Sequence, residues 1–130
     1  MDNDFEQLEF RLREGENCTR LSLRGELDVA SAAAFMEQLA AVNRSGVADL
    51  TVDLSELSYI DPTGLSVLAV EQRRADASGI ALHIDSPSDF VRRMLRITGL
   101  IDVLDVSPDD GVVAPPVEVV DGRAPERSQA

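Results

Sequence analysis

The sequence predicts a single α/β domain with a mixed, mostly parallel sheet and the element order ββαβαβαβ. Near the N-terminus, apolar residues alternate with charged ones in two adjacent segments, which indicates a hairpin of half-buried strands. Further along, strand-like segments are separated by single segments of helical spacing. The strands that each helix joins should therefore pair in parallel through right-handed crossovers. Hydrophobic residues make up 44% of the 130 positions, which suffices for one core but not for two.

The first half of the predicted domain is a strand–strand–helix unit. The hairpin strands are expected at residues 8–12 and 21–23, where every second side chain is apolar. Apolar residues then recur at helical spacing from position 32 to position 42. Asp28 and Ser31 precede this helix and are its capping candidates.

The second half alternates strands with helices. Strands are expected at residues 50–54 and 80–84, with the second helix between them over about residues 63–77. A last short strand is expected at residues 100–106. Each helix would cross from one strand to a parallel neighbour in the same sheet.

The third helix is predicted from its caps and its apolar spacing. Ser86 would be the N-cap and Pro87 the first helical residue, where the missing N–H of proline is harmless. Gly99 would end the helix. The inward face is expected to carry Phe90, Met94 and Ile97, and the solvated face Arg92, Arg93 and Arg96.

The chain divides by composition into a folded part, residues 1–106, and a tail, residues 107–130. The tail holds four of the six prolines, lacks aromatic residues and shows no lasting periodicity. We expect it to be mostly disordered, because such a segment cannot bury enough apolar surface to offset the entropy of ordering.

The composition excludes several classes of function. All twelve basic residues are Arg, so a Schiff-base lysine and a lysine-containing phosphate loop are both excluded. The chain has one His and one Cys, too few for a zinc site of these ligands, and Cys18 is expected to be a small packing residue. We therefore expect no enzyme activity, cofactor or metal.

Charge and hydropathy bear on partners and location. Twenty-four acidic residues give a formal net charge of −12, which would repel nucleic acid and anionic membranes. No apolar run approaches the length of a membrane span, and no signal peptide is evident. We expect a cytoplasmic protein, either a monomer or a weak dimer, that binds neither nucleic acid nor membrane.

Residues 61–65, Asp-Pro-Thr-Gly-Leu, are the most distinctive local motif. Asp61 is suited to the N-cap of the second helix and Pro62 to its first position. The motif follows a parallel strand, at the edge where open α/β sheets place ligand and partner sites. Residues 25–28, Gly-Glu-Leu-Asp, follow the neighbouring strand in the same way. Both motifs are consistent with capping alone or with a docking surface.

Together these residues resemble a STAS domain, and in particular the free-standing anti-sigma factor antagonists. The resemblance is carried by residues 23–28, 52–65 and 91–100, in that order and spacing. It implies that the chain binds an anti-sigma factor, usually a kinase-like ATPase, and so releases a sigma factor for transcription by partner switching. The residues it implies for partner binding are Glu26, Asp28, Asp61, Pro62, Thr63, Gly64, Leu65 and Ser66.

The sequence departs from the family pattern at the residue that the kinase would phosphorylate. The family has a Ser or Thr after the aspartate, whereas this chain has Pro62, which carries no hydroxyl. Thr63 is the remaining candidate for phosphorylation. A shift of one residue turns a helical side chain by roughly 100°, so we expect that the usual switch does not operate here.

Two further expectations follow from the resemblance. Free-standing STAS domains also bind lipid-transport ABC ATPases, and this alternative function would need no phosphorylation. We also expect that Gly64→Arg abolishes partner binding while the domain stays folded, because the arginine would block the start of the second helix.

Overall fold

A four-stranded mixed sheet forms the framework of the protein. The structure is a computed structural model and describes residues 8–108. The strands lie in the order β1 (Glu9–Gly15), β2 (Cys18–Leu27), β3 (Asp49–Ile60) and β4 (Ala81–Asp85). β1 pairs with β2 antiparallel, and the other two pairings are parallel. The predicted hairpin and parallel crossovers are thus confirmed.

In the described part of the chain, three helices connect and cover the strands. They are α1 (Ala32–Ser45), α2 (Pro62–Ser78) and α3 (Asp89–Thr98), and a single 3₁₀ turn follows at Leu100–Asp102. The first two lie within a few residues of their predicted bounds.

The core lies between one face of the sheet and the helices. Every second residue of β2, of β4 and of the first half of β3 is buried there, including Leu21, Val52 and Ile84. α1 contributes Phe35, which is fully buried, and α2 contributes Leu68. Burial of these large side chains stabilises the fold by roughly 1.5–3 kcal/mol each.

The strand residues of opposite parity form a polar face. Arg20 lies at its centre and donates hydrogen bonds to Asp53 at 3.0 Å and to Asp85 at 2.7 Å. Burial works against the charge of Arg20, but its bonds to the Asp85 and Asp53 carboxylates outweigh that effect and raise its pKa. These pairs join three parallel strands across the sheet.

The predicted last strand at residues 100–106 is wrong. Gly99 adopts a left-handed conformation with φ of 81°, and the chain turns into the 3₁₀ segment. Leu104 then donates its N–H back to the Leu100 carbonyl at 3.0 Å. Only Val106 reaches the sheet, as one isolated parallel bridge to Ile84.

The predicted start of α3 is also wrong. The N-cap is Ser88, not Ser86, which has a positive φ of 52°. The Ser88 hydroxyl donates to the Leu57 carbonyl at 2.6 Å, so the helix start is tied to the end of β3. A contact between residues so distant in sequence leaves no local signal.

The inward face of α3 agrees with the prediction only at Met94, which is partly buried and packs against the core. Val91, Arg92 and Leu95 are buried, whereas Phe90 and Ile97 are 39% and 69% exposed. α3 carries apolar residues on two sides, so the spacing alone does not determine which side is buried. Arg92, expected on the solvated face, instead donates to the Ser107 carbonyl at 3.0 Å.

Two further expectations concern Cys18 and the tail. Cys18, expected to pack, is exposed at the start of β2. The tail prediction for residues 107–130 falls almost wholly on residues 109–130, which lie outside the described residues.

Candidate functional site

Two loops at the carboxyl ends of β2 and β3 form the candidate site. Leu27 and Ile60 are register partners at the ends of these parallel strands. The next residue along, Asp61, donates its backbone N–H to the Leu27 carbonyl at 3.2 Å. The two motifs that the sequence singled out, residues 25–28 and 61–65, are therefore neighbours in space.

The Asp61 carboxylate connects these loops. One oxygen, Oδ1, accepts the Gly64 N–H at 2.8 Å and so caps α2. The other, Oδ2, accepts the Val29 N–H from the β2–α1 loop at 3.1 Å. The predicted N-cap is confirmed, and the second bond fixes the start of α2 relative to the start of α1.

Asp28 organises the other loop. Its Oδ1 accepts the backbone N–H groups of Ala30 at 3.0 Å and Ser31 at 3.1 Å. The Ser31 hydroxyl donates to the Glu26 carbonyl at 2.9 Å and accepts the Asp28 N–H at 3.0 Å. Ser31 is the N-cap residue of α1, but its side chain makes no capping bond to the helix. The N–H groups that precede the helix are instead bound by the Asp28 carboxylate.

Gly64 lies where the two loops approach most closely. A Cβ atom at this position would be 2.6 Å from the Leu27 carbonyl oxygen and 2.8 Å from Ile60 Cγ1. Only glycine fits at this distance, so the expectation that Gly64→Arg leaves the domain folded is wrong. Leu65 is also buried, with 5% of its surface exposed.

The remaining motif residues form the accessible surface. Pro62 and Ser66 are exposed, and Thr63, Glu26 and Asp28 are partly exposed. Gly64 and Leu65, which were expected to bind the partner, are buried beneath this surface.

Exposed apolar side chains lie beside this surface, and the sequence did not point to them as part of the site. Tyr59 of β3 and Phe90 of α3 stack with ring centroids 5.5 Å apart and planes at 22°. Tyr59 is 41% exposed, and Val29 in the β2–α1 loop is 73% exposed. Tyr59 lies two residues before Asp61 in the chain. In the sequence, only Phe90 indicated an apolar residue here, and its helical spacing assigned that side chain to the core.

The site is acidic and holds no obvious reaction centre. Residues 26–31 and 58–66 include three acidic residues and no basic one. Within residues 8–108 no group of three or more His, Cys, Asp or Glu side chains is arranged to hold a metal ion. In the same part of the chain, no helix has both the length and the apolar character needed to cross a membrane.

Comparison with known proteins places this geometry in a family. Residues 10–105 match the family model described as Mlab, STAS domain. The chain is 34% identical over 96 residues to an anti-sigma-B factor antagonist of Bacillus subtilis, covering 74% of this chain and 87% of that protein. An anti-sigma-B factor antagonist of Staphylococcus aureus is 34% identical over 83 residues, covering 64% of this chain and 77% of the relative.

Solved structures agree on the fold. An anti-sigma factor antagonist from Mycobacterium paratuberculosis has a TM-score of 0.71 with 21% identity, covering 81% of this chain and 89% of that one. The unphosphorylated anti-sigma factor antagonist SpoIIAA has a TM-score of 0.65 with 19% identity, covering 82% of this chain and 100% of that one.

Proposed function

Since the chain belongs to the STAS family, we propose that it is an anti-sigma factor antagonist, which binds an anti-sigma factor and so frees a sigma factor for transcription. The observation that carries the proposal is its 34% identity to an anti-sigma-B factor antagonist across 87% of that relative. The chain acts by binding and not by catalysis, and it acts in the cytoplasm, where sigma factors work.

The partner docks on the surface around the start of α2. The residues accessible there are Pro62, Ser66 and part of Thr63, with the acidic β2–α1 loop beside them. The Tyr59–Phe90 stack extends this surface with exposed apolar area. Such a surface suits a partner with an apolar anchor flanked by basic side chains, because charge complementarity favours encounter and register.

This surface is not switched by phosphorylation at residue 62. Pro62 is the first residue of α2 and carries no hydroxyl. A phosphate would add about 1.5–2 negative charges to a surface that is already acidic, which would weaken docking to a basic partner. Without an acceptor at this position, the antagonist keeps its affinity in the presence of an active kinase. Thr63, one residue further along the helix, is turned from position 62 by roughly 100°, so it is not a substitute acceptor.

Binding of the full chain to purified kinase-like anti-sigma factors from the same organism tests the proposal. The test variant is Ser66→Arg, which places a large cation on the exposed first turns of α2. The matched control is Ser78→Arg, an identical change at the exposed far end of the same helix, about 18 Å away. We expect calorimetry to show binding by the parent and by Ser78→Arg but not by Ser66→Arg. Equal affinity of both variants would place the interface elsewhere.

Adding ATP to the same mixtures tests the absence of the switch. We expect mass spectrometry to find no phosphate on the parent chain, including on Thr63. Pro62→Ser restores a hydroxyl at the first helical position and should become phosphorylated. Phosphate on Thr63 of the parent chain would contradict this part of the proposal.

A second candidate function is regulation of a lipid-transport ABC ATPase. Pro62 favours it, because such a role needs no phospho-acceptor. The same calorimetric experiment, with the nucleotide-binding subunit of that transporter as the titrant, distinguishes the two. Binding to the ABC subunit without binding to any kinase-like protein would replace the antagonist proposal.

A further inference from the structure

Within residues 8–108, the two edges of the sheet differ in whether another segment pairs with them. At β4, Ile84 exchanges backbone hydrogen bonds with the Asp105 carbonyl at 2.7 Å and the Ser107 N–H at 2.9 Å. The segment around Val106 therefore covers that edge at Ile84. At the other edge, β1 pairs only with β2 within residues 8–108, so one side of its backbone has no strand beside it there. An uncovered strand edge is a template for pairing with another strand.

β1 also leaves apolar side chains uncovered. Phe10 and Leu12 lie opposite Leu23 and Leu21 of β2, so they are on the core side of the sheet. Yet Leu12 is 44% exposed and Phe10 is only half-buried, as is Leu8. Leu8 and Phe10 pack against the margin of the core, and the row is less completely buried than Leu21 and Leu23 of β2. Single exposed apolar residues are ordinary, but a row of three along an open edge is suited to burial against another chain.

The charged side of β1 is complementary to itself. Glu9 and Arg11 lie on the opposite face from Phe10. If two copies of β1 pair antiparallel about a two-fold axis at Phe10, Glu9 of each copy lies opposite Arg11 of the other. In the same register Leu8 lies opposite Leu12, and the two Phe10 side chains meet on the axis. Within residues 8–12, each of these cross-strand pairs is then favourable.

Other registers also keep the apolar rows of the two copies on one face, but they place like charges opposite each other. An axis at Arg11 would place Glu9 opposite Arg13, but it would also place the two Arg11 side chains directly opposite each other. An axis at Leu12 would place Arg11 opposite Arg13 of the other copy. Like charges directly opposite each other destabilise an antiparallel pair, so the charges select the register centred on Phe10.

We propose that β1 is a dimerisation edge, through which a second copy of this chain pairs antiparallel about Phe10 and extends the sheet to eight strands. The occupant is a second copy because the charge order of β1 complements itself. The interface is isologous, since residue Glu9 contacts Arg11 and Arg11 contacts Glu9 across the two-fold axis. β1 contributes no residue to the partner surface around α2, so this proposal does not rest on the proposed function.

Sedimentation equilibrium of the full chain over a concentration series tests the proposal with two charge reversals. Glu9→Arg and Arg11→Glu each turn two attractive pairs into two repulsive ones. Each should raise the dissociation constant of the dimer by roughly tenfold or more. Far-UV circular dichroism checks that both remain folded, and the residue directly opposite Arg11 within the chain is the uncharged Ser22.

Mixing the two variants gives the sharpest result. In a heterodimer, the new cation at position 9 of one chain faces the new carboxylate at position 11 of the other. The unchanged Arg11 of the first chain faces the unchanged Glu9 of the second, so both pairs become attractive again. We expect the equimolar mixture to dimerise as the parent does, although each variant alone is mainly monomeric. Net charge does not explain this outcome, because the mixture has the same total charge as the parent.

A charge reversal away from β1 serves as the control. Glu37→Arg, an exposed reversal on α1, changes the net charge of the chain as much as Glu9→Arg does. It should leave the dimer at least as stable as in the parent, because it touches no pair across the axis.

Oxidative cross-linking tests the register in a Cys18→Ser background. Phe10→Cys places the two sulfur-bearing residues on the axis, about 5 Å apart between Cα atoms, within the range for a disulfide. Leu12→Cys separates them by about 14 Å, so no cross-link should form. A chain that stays monomeric up to millimolar concentration would overturn the proposal. So would a dimer that is indifferent to both reversals, or one that cross-links at position 12 and not at position 10.

Discussion

Replacing Gly64 with alanine should destabilise the domain, although the same change usually stabilises a helix. Gly64 is in the first turn of α2, and its φ is not in the left-handed region. By helix propensity alone, Gly64→Ala would stabilise the fold by about 1 kcal/mol. The added Cβ, however, would lie 2.6 Å from the Leu27 carbonyl oxygen and 2.8 Å from Ile60 Cγ1.

The steric effect exceeds the propensity gain. Forcing a methyl group into a tightly packed position typically costs about 1–3 kcal/mol. The nearest obstacle is backbone, and the Leu27 carbonyl also accepts the Asp61 N–H at 3.2 Å. Moving that carbonyl away from residue 64 would weaken this bond, which is worth about 1 kcal/mol. We therefore expect a net loss of about 1–3 kcal/mol in the free energy of unfolding.

Urea denaturation followed by far-UV circular dichroism measures this loss. The matched control is Ser66→Ala, an exposed change two residues further along the same helix, which should stabilise by a few tenths of a kcal/mol through propensity. For a domain of this size the Gly64→Ala melting temperature should fall by roughly 5–15 °C. If Gly64→Ala proves as stable as the parent, the loops are not as closely packed at Gly64 as the geometry requires.

Two other predictions concern buried or bridging charges. Burial raises the pKa of the Glu71 carboxyl above its ordinary 4.5, and Arg74 only partly offsets this. The folded state then holds the proton more tightly than the unfolded state, so the free energy of unfolding falls as the pH rises from about 4.5 through the folded pKa. In urea titrations, Glu71→Gln should therefore be more stable than the parent at neutral pH. Below about pH 4 it should have no such advantage. Arg20→Met removes the cation between Asp53 and Asp85 and should lower the free energy of unfolding by about 1 kcal/mol at neutral pH. This loss should shrink in high salt, which screens the ion pairs, and a salt-independent loss would indicate that packing of the Arg20 side chain is what matters.

The parallel sheet was predictable because its signals are local. Residues such as Leu21, Val52 and Ile84 alternate with polar neighbours, and the strand period of two places them all on the core face. The Asp61-Pro62 start of α2 was equally readable, because capping depends on side chains within three residues of the helix end.

The orientation of α3 was not predictable, because contacts distant in sequence determine it. Ser88 is tied to the Leu57 carbonyl, and Arg92 to the Ser107 carbonyl. Both bonds rotate the helix so that Val91 and Leu95 face the core while Phe90 stays near the surface. The bridge from Asp61 to Val29 was hidden for the same reason, since these residues are thirty-two positions apart.

The structure also explains how the chain can carry proline where the family resemblance implies a phospho-acceptor and keep the surface around it. The bonds that hold this surface come from the Asp61 carboxylate and the Leu27 carbonyl, and none uses a hydroxyl at position 62. Proline at the first helical position removes an N–H that has no helical partner, so it does not disturb the start of α2. Position 62 can therefore exchange a hydroxyl for proline without a structural penalty. In the function we propose, that exchange removes regulation and leaves binding intact.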